Sequence, residues 1–160
     1  MKKPELVILW TIVVLALLTI AVDTFFAKHA NLNKANTYNF VFSRLERYQI
    51  KNKISYSYHL YVQGQSVPHV IAADYVNCFD NEAFEKEING GDTITIKTEK
   101  LGLIRGAFII SILKNNVNYV DLKCINDEIS SSKKSVIFLA FLFLSILFFW
   151  YNIRKQNYIR

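Results

Sequence analysis

Glycine, proline and cysteine are scarce in this chain, which has 5 Gly, 2 Pro and 2 Cys among its 160 residues. The scarcity of glycine and proline excludes collagen-like and low-complexity classes. Disordered proteins are poor in apolar residues, whereas 52% of the residues of this chain are hydrophobic. The composition therefore also excludes a disordered protein. Its length leaves room for one small folded domain.

The apolar residues are concentrated near the two ends of the sequence. Residues 6–22 (LVILWTIVVLALLTIAV) and 136–151 (VIFLAFLFLSILFFWY) are uncharged runs, each close to the length of a membrane-crossing helix. They predict transmembrane helices over 6–27 and 136–153, and hence a two-pass α+β membrane protein in contact with the lipid bilayer. A cleaved signal peptide is the alternative for the first run, and a buried helix is the alternative for the second.

Positive charges beyond these runs set the predicted orientation. Two lysines precede the first run and three basic residues follow the second. By the positive-inside rule, residues 1–5 and 154–160 are cytoplasmic and residues 28–135 are extracytoplasmic, in a bacterial inner (plasma) membrane. Lysines on the opposite flanks make the local count even, so the reverse orientation stays open.

Residues 28–135 have the pattern of one small β-rich domain between polar tethers at 28–37 and 127–135. Residues 54–63 (ISYSYHLYVQ) alternate as a half-buried strand does. Further strands are predicted at 38–42, 66–72, 93–98, 107–113 and 117–122. Asp80 is a suitable N-cap for one short helix that ends before a Gly-Gly pair. The prediction is a small antiparallel sheet or partly closed barrel of five or six strands with one short helix.

One stretch of this domain resembles a known group of proteins. In GQSVPHVIAADYVNCFDNEAFEKEINGGDTITIKT, a strand and a short helix precede a Gly-Asp pair and another strand. The residues that carry the resemblance are Gly64, Phe84, Gly91, Asp92, Thr93, Ile94 and Ile96. The stretch is similar to small bacterial two-pass membrane proteins with an extracytoplasmic β-domain of unknown function. The resemblance implies an architecture and no chemistry.

The two cysteines, Cys78 and Cys124, both lie in the predicted domain. In an oxidising compartment they are a disulfide candidate, closing a loop of about 47 residues and contributing roughly 4 kcal/mol in the chain-entropy model. As free thiols they would be small buried apolar residues. The sequence leaves both states open.

No pattern for catalysis, for a cofactor or for a metal stands out in the sequence. It has no HExxH, CxxC, P-loop or GxSxG motif, and its histidines are His29, His59 and His69. The acidic run 80–87 fits a capped, solvated helix better than a pair of catalytic carboxylates. Residues 24–135 hold 14 Lys/Arg and 11 Asp/Glu without a basic stripe, which argues against nucleic acid as a partner. We therefore expect no enzyme activity, cofactor or metal.

The tyrosines of the predicted domain are the feature best suited to a function. Tyrosine is favoured at protein interfaces, although strands also favour it. The candidate partner-contacting residues are Tyr56, Tyr58, Tyr61, His59 and His69. We predict a non-enzymatic protein whose β-domain binds a protein partner in the cell envelope, as an immunity or exclusion protein or an accessory subunit of a membrane complex. The alternative is a membrane-anchored sensor whose cytoplasmic domain binds a small ligand and signals through the helix pair.

Overall fold

The computed structural model describes residue 15 and residues 17–49, 55–103 and 106–157, and for residues 144 and 146–157 it describes the backbone alone. The chain divides into two compact units, one of residues Ala27–Ile129 and the other of the residues on either side. The predicted N-terminal segment 1–5 lies outside the described residues, as do the last three residues of the predicted segment 154–160.

The first unit is built on a six-stranded antiparallel sheet. Its strands are β1 (Asn36–Gln49), β2 (Tyr56–Val62), β3 (His69–Ile71), β4 (Thr93–Lys100), β5 (Ala107–Lys114) and β6 (Val117–Asn118). They lie in the order β3-β2-β1-β4-β5-β6. β1 pairs with β4 along its first half and with β2 along its second half, and its register with β2 shifts between Phe42 and Arg44. The predicted antiparallel sheet agrees with this arrangement.

The sheet curls into a partly closed barrel because β3 also lies close to β5. The order around the barrel is therefore β1-β2-β3-β5-β4, and a short helix, Asn81–Glu87, lies between β3 and β4 in the sequence. This arrangement places the β1–β2 pair, which carries most of the predicted site residues, at one side of the barrel.

The short helix covers the core of the barrel. The Oδ1 atom of Asp80 accepts a hydrogen bond from the backbone N–H of Ala83 at 3.0 Å, as expected for the predicted N-cap. One helical turn places Phe84 and Ile88 toward the core, where they are 0% and 4% exposed. The remaining core comes from alternate residues of the strands, among them the fully buried Leu60, Ile94, Ile96, Ile110 and Ile112.

Several elements differ from their predicted bounds. β3 has only three residues, since Pro68, which cannot donate to the ladder, directly precedes it. A 3-10 helix at Ala73–Cys78 was not predicted. Residues 127–135 form no tether, because the C-terminal helix already begins at Leu122. The Oδ1 atom of Asp121 accepts from the backbone N–H of Lys123 at 2.8 Å, which satisfies a free donor at that helix start.

The structure corrects the two predicted transmembrane helices. In the described part of the chain, no helix is both long enough and apolar enough to cross a bilayer. Residues 6–14 and 16 of the first predicted span lie outside the described residues. The C-terminal helix, Leu122–Asn157, contains the second predicted span and does not meet this condition either. The predicted two-pass fold class and the predicted inner-membrane localisation are therefore wrong.

The second unit consists, in its described part, of helical backbone over residues 17–25 and 130–157. Its large apolar side chains are mostly exposed. Those more than half exposed include Leu17, Leu18, Ile20, Phe138, Leu139, Phe141 and Phe143. An apolar groove of about 300 Å³ is lined by residues that include Leu18, Phe25 and Phe141. The polar site candidates all lie in the first unit.

Candidate protein-binding surface

The second half of β1 and most of β2 form a two-stranded ribbon, which we define as residues 44–49 and 56–61. Its register runs from Arg44 opposite Tyr61 to Gln49 opposite Tyr56. Five of the six β1 residues in the ribbon are exposed, and the sixth is half-buried. Within the described part of the chain, β2 is the only strand that pairs with residues 44–49. The β1 half of the ribbon is therefore largely exposed, whereas the residues of its β2 half are buried or half-buried.

One face of the ribbon carries a guanidinium stacked on a ring. The guanidinium of Arg44 lies 4.1 Å from the centroid of the Tyr61 ring, at a distance typical of a cation–π contact. Its Nε donates a hydrogen bond of 2.7 Å to the Oε1 atom of Glu46. This bond holds the pKa of the Glu46 carboxyl below its usual range and raises the pKa of Arg44. At neutral pH both groups are charged and fixed by each other.

A second stack continues along the same face. The rings of Tyr48 and His59 are nearly parallel, with an interplanar angle of 15° and centroids 5.1 Å apart. Tyr48 is 54% exposed and His59 is half-buried. Stacked rings lose little conformational entropy when they are covered, because each is already held in place.

The other face of the ribbon has its own stacked arginine. The guanidinium of Arg47 lies 3.8 Å from the centroid of the Tyr56 ring, and that ring meets Tyr58 edge to face at 5.6 Å. Tyr58 continues into the core, where its ring lies 5.3 Å from that of Phe79. Tyr58 is only 4% exposed and lies in the core, whereas the other predicted partner-contacting residues of β2, Tyr56, His59 and Tyr61, are half-buried.

His59 and His69 lie on different faces of the sheet. His69 is opposite Leu60, whereas His59 is opposite Val70, which is the register that a short turn at Gly64 favours. The His69 ring lies 4.8 Å from that of Phe40, and burial lowers the pKa of the imidazole. Within the described residues, no group of three or more His, Cys, Asp or Glu side chains is placed to hold a metal ion.

The two cysteines, Cys78 and Cys124, are joined by a disulfide with their Cα atoms 5.5 Å apart. Of the two states that the sequence left open, the structure has the bridge. It links the end of the 3-10 helix to the first turn of the C-terminal helix. The bridge therefore has a structural position, remote in sequence from the ribbon.

A second polar cluster lies where β5 meets the loop after the short helix. The Nζ atom of Lys114 donates 2.7 Å to the Oδ2 atom of Asp92 and 2.8 Å to the backbone carbonyl of Glu87. The Tyr119 hydroxyl donates 2.8 Å to the Oε2 atom of Glu87, and burial together with this carboxylate raises the pKa of Tyr119 to about 12. Every charged group of this cluster has a partner, so we assign it to the stability of the fold.

Replacing Asp92 by asparagine is expected to flatten the acid limb of the stability curve. The hydrogen bond from Lys114 and the backbone N–H of Asn89 hold the pKa of the Asp92 carboxyl below its ordinary value of 3.8. The unfolded chain therefore binds a proton first, and the stabilisation is lost as the pH falls below about 4. Urea unfolding at several pH values should show a shallower decline for Asp92→Asn than for the wild type. Parallel curves would contradict this, and Asp80→Asn, which keeps a capping side chain, is the control.

The sequence identified the β2 half of the ribbon and missed the β1 half. Tyr56, His59 and Tyr61 were predicted because β2 alternates between apolar and polar residues. Arg44, Glu46, Arg47 and Tyr48 were not, because residues 44–49 are exposed on both faces and show no such alternation. A usable signal was the presence of two arginines in residues 44–49 and of three tyrosines in the following strand, because neighbouring antiparallel strands bring such side chains together.

Comparison with known protein families, with characterised proteins and with solved structures finds no match to this chain. The resemblance to small bacterial membrane proteins therefore stays a prediction about architecture, and its two-pass part is the part corrected above. The function has to be argued from the geometry of the ribbon.

Proposed function

We propose that this chain is a non-enzymatic binding module that contacts a protein partner through the ribbon. The observation that carries the proposal is the exposed pair of stacks on one ribbon face, Arg44 on Tyr61 and Tyr48 on His59. Arginine and tyrosine are among the residues enriched at protein interfaces and among the side chains that dominate the binding energy there.

The state of these side chains supports binding. Each is held by a neighbour before any partner arrives, so covering it costs little additional side-chain entropy. The groups also suit recognition better than reaction, since the Nε of Arg44 is already bonded to Glu46 and the His59 ring is stacked.

Photo-cross-linking in cells tests the proposal. A benzoylphenylalanine placed at position 48 should form a covalent adduct with another protein on irradiation. The control is the same substitution at position 38, because Tyr38 and Tyr48 lie in one strand and are 44% and 54% exposed. We expect the adduct at position 48 to be several-fold more abundant, and to be lost when His59→Ala removes the stacking partner. Equal adducts at both positions, or none at position 48, would refute the proposal.

A further inference from the structure

We infer, on the basis of the proposed function, that the partner contributes an extended segment that pairs with the free edge of β1 in the ribbon. This segment carries two acidic side chains three residues apart, which meet Arg44 and Arg47. The inference rests on three observations, namely an open strand edge, two stacked guanidinium groups and their placement on opposite faces.

In the described part of the chain, the edge of β1 that faces away from β2 is unpaired along the ribbon. On the β4 side, the last described backbone pairing is at Phe42, whose N–H donates 2.8 Å to the carbonyl of Asp92 and whose carbonyl accepts 2.8 Å from Gly91. No described residue pairs with residues 44–49 on that side. Such an edge is roughly 20 Å long and offers unpaired N–H and C=O groups to an added strand.

The two arginines lie on opposite faces of that edge. Arg44 stacks on Tyr61 and Arg47 stacks on Tyr56. Tyr56 and Tyr61 are five positions apart in one strand, and side chains separated by an odd number of positions point to opposite faces. An added strand alternates in the same way. Acidic side chains three positions apart therefore reach both arginines, whereas a spacing of two puts both on one face.

The chemistry of the edge favours carboxylates over other groups. A guanidinium stacked on a ring keeps its N–H donors in one plane, where a carboxylate can accept two of them. Glu46 lies two positions after Arg44 on the same face, so it disfavours an acidic side chain directly opposite position 46 and leaves the one opposite Arg44. The expected segment is therefore extended, apolar or hydroxylated in its remaining positions, and acidic at two positions spaced by three.

Two isomeric peptides test this with the full chain. The end-blocked peptides TVDTVDVT and TVDTDVVT have the same composition, but their aspartates are three and two positions apart. We expect the first to bind about tenfold more tightly, the factor for one charge-assisted hydrogen-bonded pair, measured by amide chemical-shift changes. Arg47→Gln should remove that preference, whereas Lys100→Gln, at an exposed lysine of β4, should retain it.

N-methylation separates strand pairing from simple charge attraction. Methylating one set of alternate amides in TVDTVDVT should abolish binding, while methylating the other set should leave it. The inference would be overturned if the two isomers bound with equal affinity or if neither bound. It would also be overturned if binding survived both methylations, or if the chain preferred a single-stranded oligonucleotide to either peptide. If position 48 still cross-links a protein under those outcomes, the proposed function stands and only the strand pairing fails.

Discussion

Replacing both Cys78 and Cys124 by alanine is expected to lower the free energy of unfolding by about 4 kcal/mol. The bridge joins residues 46 positions apart, and closing a loop of that length in the unfolded chain removes entropy of this size in the chain-entropy model. Backbone hydrogen bonds beside the bridge also join the two segments that it links. The backbone N–H of Asp121 donates 2.8 Å to the carbonyl of Cys78, and Phe79 pairs with Val120.

The variant should therefore keep its fold and lose stability. Near-ultraviolet circular dichroism reports the buried tyrosines, Tyr58, Tyr75 and Tyr119, and the tyrosine bands should be unchanged without denaturant. Urea unfolding followed by the same signal should give a lower midpoint with a similar slope. A reductant should shift the wild type to the variant's midpoint and leave the variant unaffected. A difference below about 1 kcal/mol would show that the bridge does not constrain the unfolded chain in this way.

Truncating Phe84 to alanine is expected to cost about 3–5 kcal/mol, the range for a buried aromatic residue. Its side chain is 0% exposed. Three rings surround it edge to face, those of Phe42, Phe79 and Tyr119, at centroid distances of 5.3, 5.3 and 5.4 Å. Removing the ring leaves a cavity that these neighbours cannot fill without moving the short helix away from the strands.

Urea unfolding with near-ultraviolet circular dichroism measures this cost as well. Phe84→Leu should lose less, because most of the volume is kept. Phe138→Ala is the matched control, since Phe138 is 67% exposed, and it should leave the unfolding of the first unit within about 0.5 kcal/mol of the wild type. If Phe84→Ala cost no more than Phe138→Ala, the short helix would not be part of the core.

The sequence predicted elements whose two sides differ in burial. β2 was found because Tyr58, Leu60 and Val62 face the core while the residues between them do not. The short helix was found because Asp80 caps it and Phe84 lies on its buried face. In both cases the local pattern and the tertiary environment agree, which is the condition for reading structure from sequence.

Elements without such asymmetry were missed or misread. The β1 part of the ribbon is exposed on both sides, so its strand is fixed by pairing with β2 rather than by its own pattern. The start of the C-terminal helix was read as a tether because only Ile125 and Ile129 of its first turns are fully buried apolar residues. The apolar runs 6–22 and 136–151 were interpreted as membrane spans from their length and lack of charge. These two properties do not give the bounds of the helices that contain the runs.

The candidate site was predictable only in part for the same reason. Tyr61 and His59 could be assigned to a face of β2, but their partners Arg44 and Tyr48 come from a strand that the sequence did not show. A stack between strands depends on register, and register depends on the bulge between Phe42 and Arg44. No local pattern in residues 43–49 specifies that bulge.

The affinity of the protein captured by cross-linking is the measurement that tests the binding role of the ribbon most directly. Titration of that purified partner with the full chain should show at least a tenfold loss for Tyr48→Ala, the effect of an interface residue that dominates binding. Tyr38→Ala, in the other half of the same strand, should stay within about twofold, as expected away from an interface. Equal affinities for the wild type and both variants would contradict the assignment of the ribbon as the binding surface.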